Sequence, residues 1–266
     1  MSIYDDLRGA IRDGTPVALT TVIAGEGIGN RMLVRPDGST EGTLGHPELD
    51  RVVGRDTLAE LEAGRSGVRR YGVEGQATPE DLTADAIVSV FVESFAPPPQ
   101  MWVFGAVDFT AALARVGKVL GYRVIVCDAR EVFATRRRFP MADEVVVSWP
   151  GPLFEQRGQS LGRRDAVCIL THDPKFDVPA VIGALATKVG YIGVMGSRRT
   201  HEQRLKRLVE AGVGDAGMAR LMSPIGLDIG ARTPEETAVS ICAEIIAQRT
   251  GKLVPSLKDA SGPIHA

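Results

Sequence analysis

No stretch of this 266-residue chain approaches the roughly 18 uninterrupted apolar residues that a membrane span requires. Its opening, MSIYDDLRGAIRDG, has no basic segment leading into an apolar one. The expectation is a cytoplasmic protein with no membrane partner. An excess of charge of one sign is also missing. The formal net charge is −2, so nothing pulls the chain as a whole toward polyanions, and no nucleic-acid partner is expected. Cysteine is scarce, with Cys127, Cys168 and Cys242 widely spaced in apolar surroundings and no CxxC pair. That excludes a disulfide framework and a compact zinc site, and no tight His/Cys/Asp cluster marks any other metal. The three thiols read as buried small hydrophobes.

A further absence concerns glycine. Residues 101–130, MWVFGAVDFTAALARVGKVLGYRVIVCDAR, run as apolar strand, turn, amphipathic helix, second strand and acid, the order of a dinucleotide-binding unit. The G-x-G-x-x-G fingerprint would need glycine at 105, 107 and 110, and the chain has Gly105, Val107 and Thr110. A branched side chain stands where a pyrophosphate should pass, with Asp108 beside it. Conventional NAD binding is therefore disfavoured, although the scaffold is kept.

Apolar residues make up 44% of the chain, enough to build a real core. The most distinct internal punctuation is FAPPPQ at 95–100, where three prolines that donate no backbone hydrogen bond read as a connector. The expected organisation is a small α+β domain over 1–96, a proline linker at 97–99, a Rossmann-like domain over 100–251 and a flexible tail at 252–266. In the first domain, short alternating runs at 17–23, 31–42, 67–73 and 86–94 predict strands, with helices at 2–13 and 48–63. Asp37-Gly38 predicts a two-residue hairpin turn in which both central residues take positive φ. After the prolines, strands at 101–104, 123–127, 144–147, 166–170 and 191–195 alternate with helices at 109–120, 178–189, 200–211 and 234–249. Such alternation predicts a parallel sheet with helices on both faces. The last helix is well bounded: Thr233, Pro234 and Glu236 form a capping box with proline at the first position, and Gly251 closes it. Val239, Ile241, Cys242, Ile245 and Ile246 mark its apolar side.

Open parallel sheets place ligands where strands end. Gly105 and Ala106 follow the first of these strands, and Asp128 and Arg130 end the second. The fourth runs into His172 and Asp173. The fifth runs into Gly196, Ser197, Arg198 and Arg199 at a helix start, a combination suited to a phosphate or another oxoanion. These ten residues form the candidate cofactor-binding set; no catalytic residue is assigned. Arg204, Lys206 and Arg207, further along the same helix, read as a solvated charged face.

The segments VFGA, VCDAR, RFP, LTHD, GYIGVMGSRRTHEQR and PIGLDIGARTPEETAVSI resemble the C-terminal half of the XdhC/CoxI family, accessory proteins of xanthine dehydrogenase and related molybdenum hydroxylases. The resemblance covers about residues 86–250, with a looser likeness through NRMLVRPDGSTEGTLG near the N-terminus. It implies a factor that binds molybdenum cofactor (molybdopterin) and assists its sulfuration or delivery to a hydroxylase client. A cysteine desulfurase is a further partner, and a homodimer a further expectation. Two departures stand out. GAVDFT replaces the family's GAGHVG turn, and GTLGHPELD supplies His46 and Glu48 where many members carry a thiol. The missing cysteine weakens a role as covalent sulfur carrier. Two other readings stay open. One is an NAD(P)-dependent oxidoreductase using Asp128 for the ribose and His172 as an acid; the other is a scaffolding partner with no ligand.

Overall fold

The computed structural model describes residues 2–75 and 87–254, and the chain divides into two units, Met1–Pro97 and Pro98–Ala266. Most of the tail expected at 252–266, and residue 86 of the strand expected at 86–94, lie outside the described residues.

Unit 1 runs α1 (Ile3–Asp13), β1 (Val17–Ala24), β2 (Arg31–Val34), β3 (Thr40–Thr43), α2 (Pro47–Ala63), β4 (Gly67–Gly72) and β5 (Ile87–Phe95). Among the described residues the strands form an antiparallel sheet of order β3-β2-β1-β5-β4. Alternating inward residues such as Val22, Met32, Val34, Val88 and Val90 pack against Leu49 and Val53 of α2. The β2–β3 hairpin differs from the expected two-residue turn. Arg35 N–H donates to Ser39 O and Gly38 N–H to Arg35 O, both at 2.9 Å, which encloses three residues, Pro36, Asp37 and Gly38. The ring of Pro36 locks its φ negative, so a type I turn forms and only Gly38 (φ 82°) takes the left-handed conformation.

Unit 2 alternates β6 (Gln100–Phe104), α3 (Asp108–Val119), β7 (Arg123–Asp128), β8 (Glu144–Val147), α4 (Pro150–Arg157), β9 (Ala166–Ile169), α5 (Pro174–Leu185), β10 (Tyr191–Val194), α6 (Arg198–Glu210), α7 (Asp215–Met218), β11 (Leu221–Met222) and α8 (Pro234–Thr250). All six described strands are parallel, in the order β11-β10-β9-β6-β7-β8. The interior strands read as near-continuous apolar runs because both faces are covered. Met101 and Val103 of β6 join Ala112 and Leu113 of α3 and Ile241 and Ile245 of α8 on one side. Trp102 and Phe104 join Leu153 of α4, Val181 of α5 and Leu208 of α6 on the other. The protein is thus α/β, an antiparallel-sheet unit followed by a Rossmann-like parallel sheet.

The capping box on α8 is present: Thr233 Oγ1 accepts from Glu236 N–H at 3.1 Å, Glu236 Oε2 accepts from Thr233 N–H at 3.0 Å, and Gly251 closes the helix at φ 64°. Its buried side is narrower than expected. Ala238, Ile241, Cys242 and Ile245 face the core, whereas Val239 and Ile246 stand toward solvent. Helix α5 starts at Pro174 rather than 178, because Asp173 caps it and Pro174 occupies its first position.

Candidate functional site

The strand order turns outward in both directions from the neighbours β6 and β9, so the chain leaves their C-terminal ends on opposite sides of the sheet. A cavity of about 450 Å³ lies at this switch point. Val107 lines it from the β6–α3 turn, Asp128, Ala129 and Arg130 from the end of β7, and Trp149 from the segment after β8. Thr171, His172 and Asp173 line it from the end of β9, and Phe176 from α5. Trp149 and Phe176 stand with ring centroids 5.8 Å apart, and Trp149 is half exposed.

Each turn is fixed locally. Gly105 has φ +111°, and a Cβ there would stand 2.5 Å from Thr171 Cγ2, so only glycine lets the β6 and β9 ends approach this closely. Thr110 Oγ1 donates to Gly105 O at 2.5 Å and ties the turn to α3. Arg138, of the RFP segment, donates to Ala106 O at 3.1 Å, while Phe139 is buried in the core. Asp173 caps α5 by accepting from Lys175 N–H at 3.0 Å, which leaves His172 exposed beside it.

Asp128 does not point out of the cleft. It is 2% exposed, and its Oδ2 accepts from Ala106 N–H at 2.7 Å. Arg130 supplies three more bonds: its N–H and Nε to Oδ1, both at 2.9 Å, and Nη2 to Oδ2 at 2.8 Å. Burial pushes this carboxyl up, but the Arg130 guanidinium and the two amides outweigh it and hold it below its ordinary value.

Gly196, Ser197 and Arg199, after β10, are not among the described residues that line this cavity. Ser197 Oγ caps α6, accepting from Thr200 N–H at 3.2 Å, and Arg199 is exposed in the first turn of that helix. Arg204 departs from its expected place on a solvated face. It is buried and ion-paired with Asp177 of α5, and it also donates to Met195 O at 2.8 Å and Ser223 Oγ at 3.2 Å. Thr171 Oγ1 donates to the other oxygen of Asp177. One buried network thus joins the ends of β9, β10 and β11. Burial pushes the Asp177 carboxyl up to about 6, with Arg204 pulling against it.

All three cysteines are buried and free. Burial pushes the Cys127 and Cys242 thiols up to about 12, and Cys168 is raised as well. None offers a thiolate near neutral pH. In unit 1, His46 precedes α2 without a side-chain capping bond, and Glu48 pairs with Arg51 at 2.8 Å. Among the described residues no three His, Cys, Asp or Glu side chains converge on a metal position, and no helix is long and apolar enough to cross a membrane.

Residues 101–245 match the XdhC Rossmann domain, and residues 10–72 match the XdhC and CoxI family. The chain belongs to the XdhC/CoxI family. Among curated relatives of this XdhC/CoxI protein, a probable xanthine dehydrogenase subunit of Bacillus subtilis (strain 168) is 33% identical over 165 residues, 62% of this chain and 47% of that protein. The uncharacterized protein YqeB of Escherichia coli (strain K12) is 27% identical over 252 residues, 92% of this chain and 46% of YqeB. The molybdenum cofactor insertion chaperone PaoD of the same strain is 34% identical over 84 residues, 32% of this chain and 26% of PaoD. The chain therefore spans less than half the length of these relatives. A xanthine dehydrogenase structure from Bacillus halodurans shares its fold with a TM-score of 0.52 at 21% identity, covering 99% of this chain and 98% of the other.

Proposed function

We propose that this XdhC/CoxI protein binds molybdenum cofactor as cargo and assists its sulfuration or insertion into a xanthine dehydrogenase-type hydroxylase. The observation that carries the reading is the switch-point cavity, with Trp149 and Phe176 on one wall and Arg130, His172 and Asp173 around it. A flat pterin suits an aromatic wall, its polar edge suits the nearby hydrogen-bonding groups, and its phosphate suits the segment at the start of α6. Gly105, Ala106, Asp128 and Arg130 shape one side of this site, and His172 and Asp173 the other. Gly196, Ser197, Arg198 and Arg199 offer a second anion-receiving segment at the start of α6. The cargo's molybdenum chemistry belongs to the client; the residues of this chain bind, orient and shield it.

The buried thiols favour assistance over carriage. A partner such as a cysteine desulfurase would supply the sulfur to a cofactor held in the cleft. Similarity to a molybdenum cofactor insertion chaperone and to a probable xanthine dehydrogenase subunit points to the same class of client. NAD(P)-dependent oxidoreduction is the weaker reading, because Val107 lines the cavity where a fingerprint glycine would admit a pyrophosphate.

Reconstitution of an apo-hydroxylase tests delivery. Cofactor preincubated with the chain should activate the client faster and further than free cofactor, and Trp149→Ala should reduce that gain. Equal activation with and without the chain contradicts the proposal.

A further inference from the structure

In a parallel nucleotide-binding sheet, the turn after the first strand presents free backbone amides to a phosphate, and the acid ending the second strand reaches outward to a ribose. Here the two features are joined to each other. Ala106 N–H, in the β6–α3 turn, donates to the carboxylate of Asp128 at 2.7 Å, and the two residues are 3% and 2% exposed. A buried carboxylate seated on a turn amide is already a bound anion, supplied by the chain itself. Arg130 secures it from the other side with a forked guanidinium contact, Nε to Oδ1 at 2.9 Å and Nη2 to Oδ2 at 2.8 Å. The amide a phosphate would need and the guanidinium it would attract are thus both engaged. An arriving phosphate would meet a like charge held in place by four hydrogen bonds.

We propose that Asp128 is an intramolecular anion that keeps the phosphate position of the β6–α3 turn closed, and that it is the residue by which this cleft rejects nucleoside diphosphates. The anionic end of any ligand accepted by the cleft is directed to the other loops. This goes beyond the cargo reading and does not depend on it, since it concerns ligands that are turned away.

The test uses the full chain, with inorganic pyrophosphate and ADP as probes in calorimetric titrations. Asp128→Ala frees the Ala106 amide and the Arg130 guanidinium together, so pyrophosphate affinity should rise by at least about tenfold over the parent, with ADP following. Equal affinities in parent and variant, or a folded variant with no gain, overturn the proposal. If Asp128→Ala does not fold, the parent decides by nuclear magnetic resonance. The Ala106 amide signal should ignore millimolar pyrophosphate at neutral pH and move only as Asp128 takes up its proton in acid. A pyrophosphate-induced shift of that signal at neutral pH overturns it equally.

Discussion

Arg204 Nη2 lies 3.1 Å from Asp177 Oδ2, with both side chains 4% exposed. The pair fastens α6 to α5, and through Met195 O, Ser223 and Thr171 it fastens the ends of three neighbouring strands. Removing one partner of such a pair strands a charge in the interior. Arg204→Ala should therefore lower the stability of unit 2 by about 3 to 5 kcal/mol. Arg204→Lys should recover only part, since an ammonium lacks the fork that places Nη1 on Ser223 and Nη2 on Asp177 and Met195. Urea denaturation checks both; a loss under about 1 kcal/mol for the alanine variant would show that the network is not structural.

The same carboxyl sets a pH dependence. Asp177 ordinarily titrates at 3.8 and is pushed up to about 6 when folded, so the native state holds its proton more tightly than the unfolded chain. The stability this shift contributes is full below about 3.8 and is lost as pH rises through about 6, a span of about 3 kcal/mol. Asp177→Asn should remove that downward slope between about pH 4 and 6. Parallel stability profiles for parent and variant across that window would contradict the assignment.

The proposed anion-receiving segment after β10 gives a separate expectation for cargo affinity. Arg199 is exposed at the start of α6, free to meet a phosphate together with the helix's first amides. Arg199→Ala should weaken cofactor binding by about ten- to a hundredfold, the equivalent of one charge-assisted hydrogen bond. Arg199→Lys should restore only part of it. Arg207→Ala, on the exposed side of the same helix, should bind like the parent. Equal affinities for all of these variants would place the phosphate elsewhere.

Most of this architecture is written locally. β8 spans the predicted residues 144–147, and β6, β7, β9 and β10 start or end within one residue of their predicted limits, because buried parallel strands are short apolar runs bounded by turns. The capping box of α8 is likewise a matter of residues three apart. Other features hide from such a reading. Helix α4, in SWPGPLFEQRG, resembles a loop because two prolines and a glycine fill its first turn, where an unpaired N–H costs little. Helix α5 carries Pro179 in its interior, which obscures its earlier start. β11 is two residues long, too short to show a period.

The site is legible in part for the same reason. Asp128, Arg130, His172 and Asp173, all at strand ends, come together around one cavity, yet the sequence does not show that Asp128 folds back onto Ala106. Trp149 and Phe176 carry no motif and enter only through the sheet's topology. Arg204 reads as surface because its partner lies 27 residues away, on another helix. A buried acid facing a run of basic residues in a later helix is the signal that could have found it.

The most direct test of the cargo reading is calorimetric titration of the full chain with molybdenum cofactor under anaerobic conditions, alongside NADH and NADPH. Saturable cofactor binding that is weakened by Trp149→Ala is expected, with at least about tenfold weaker nicotinamide binding. Micromolar nicotinamide binding with no binding of the molybdenum cofactor would contradict it.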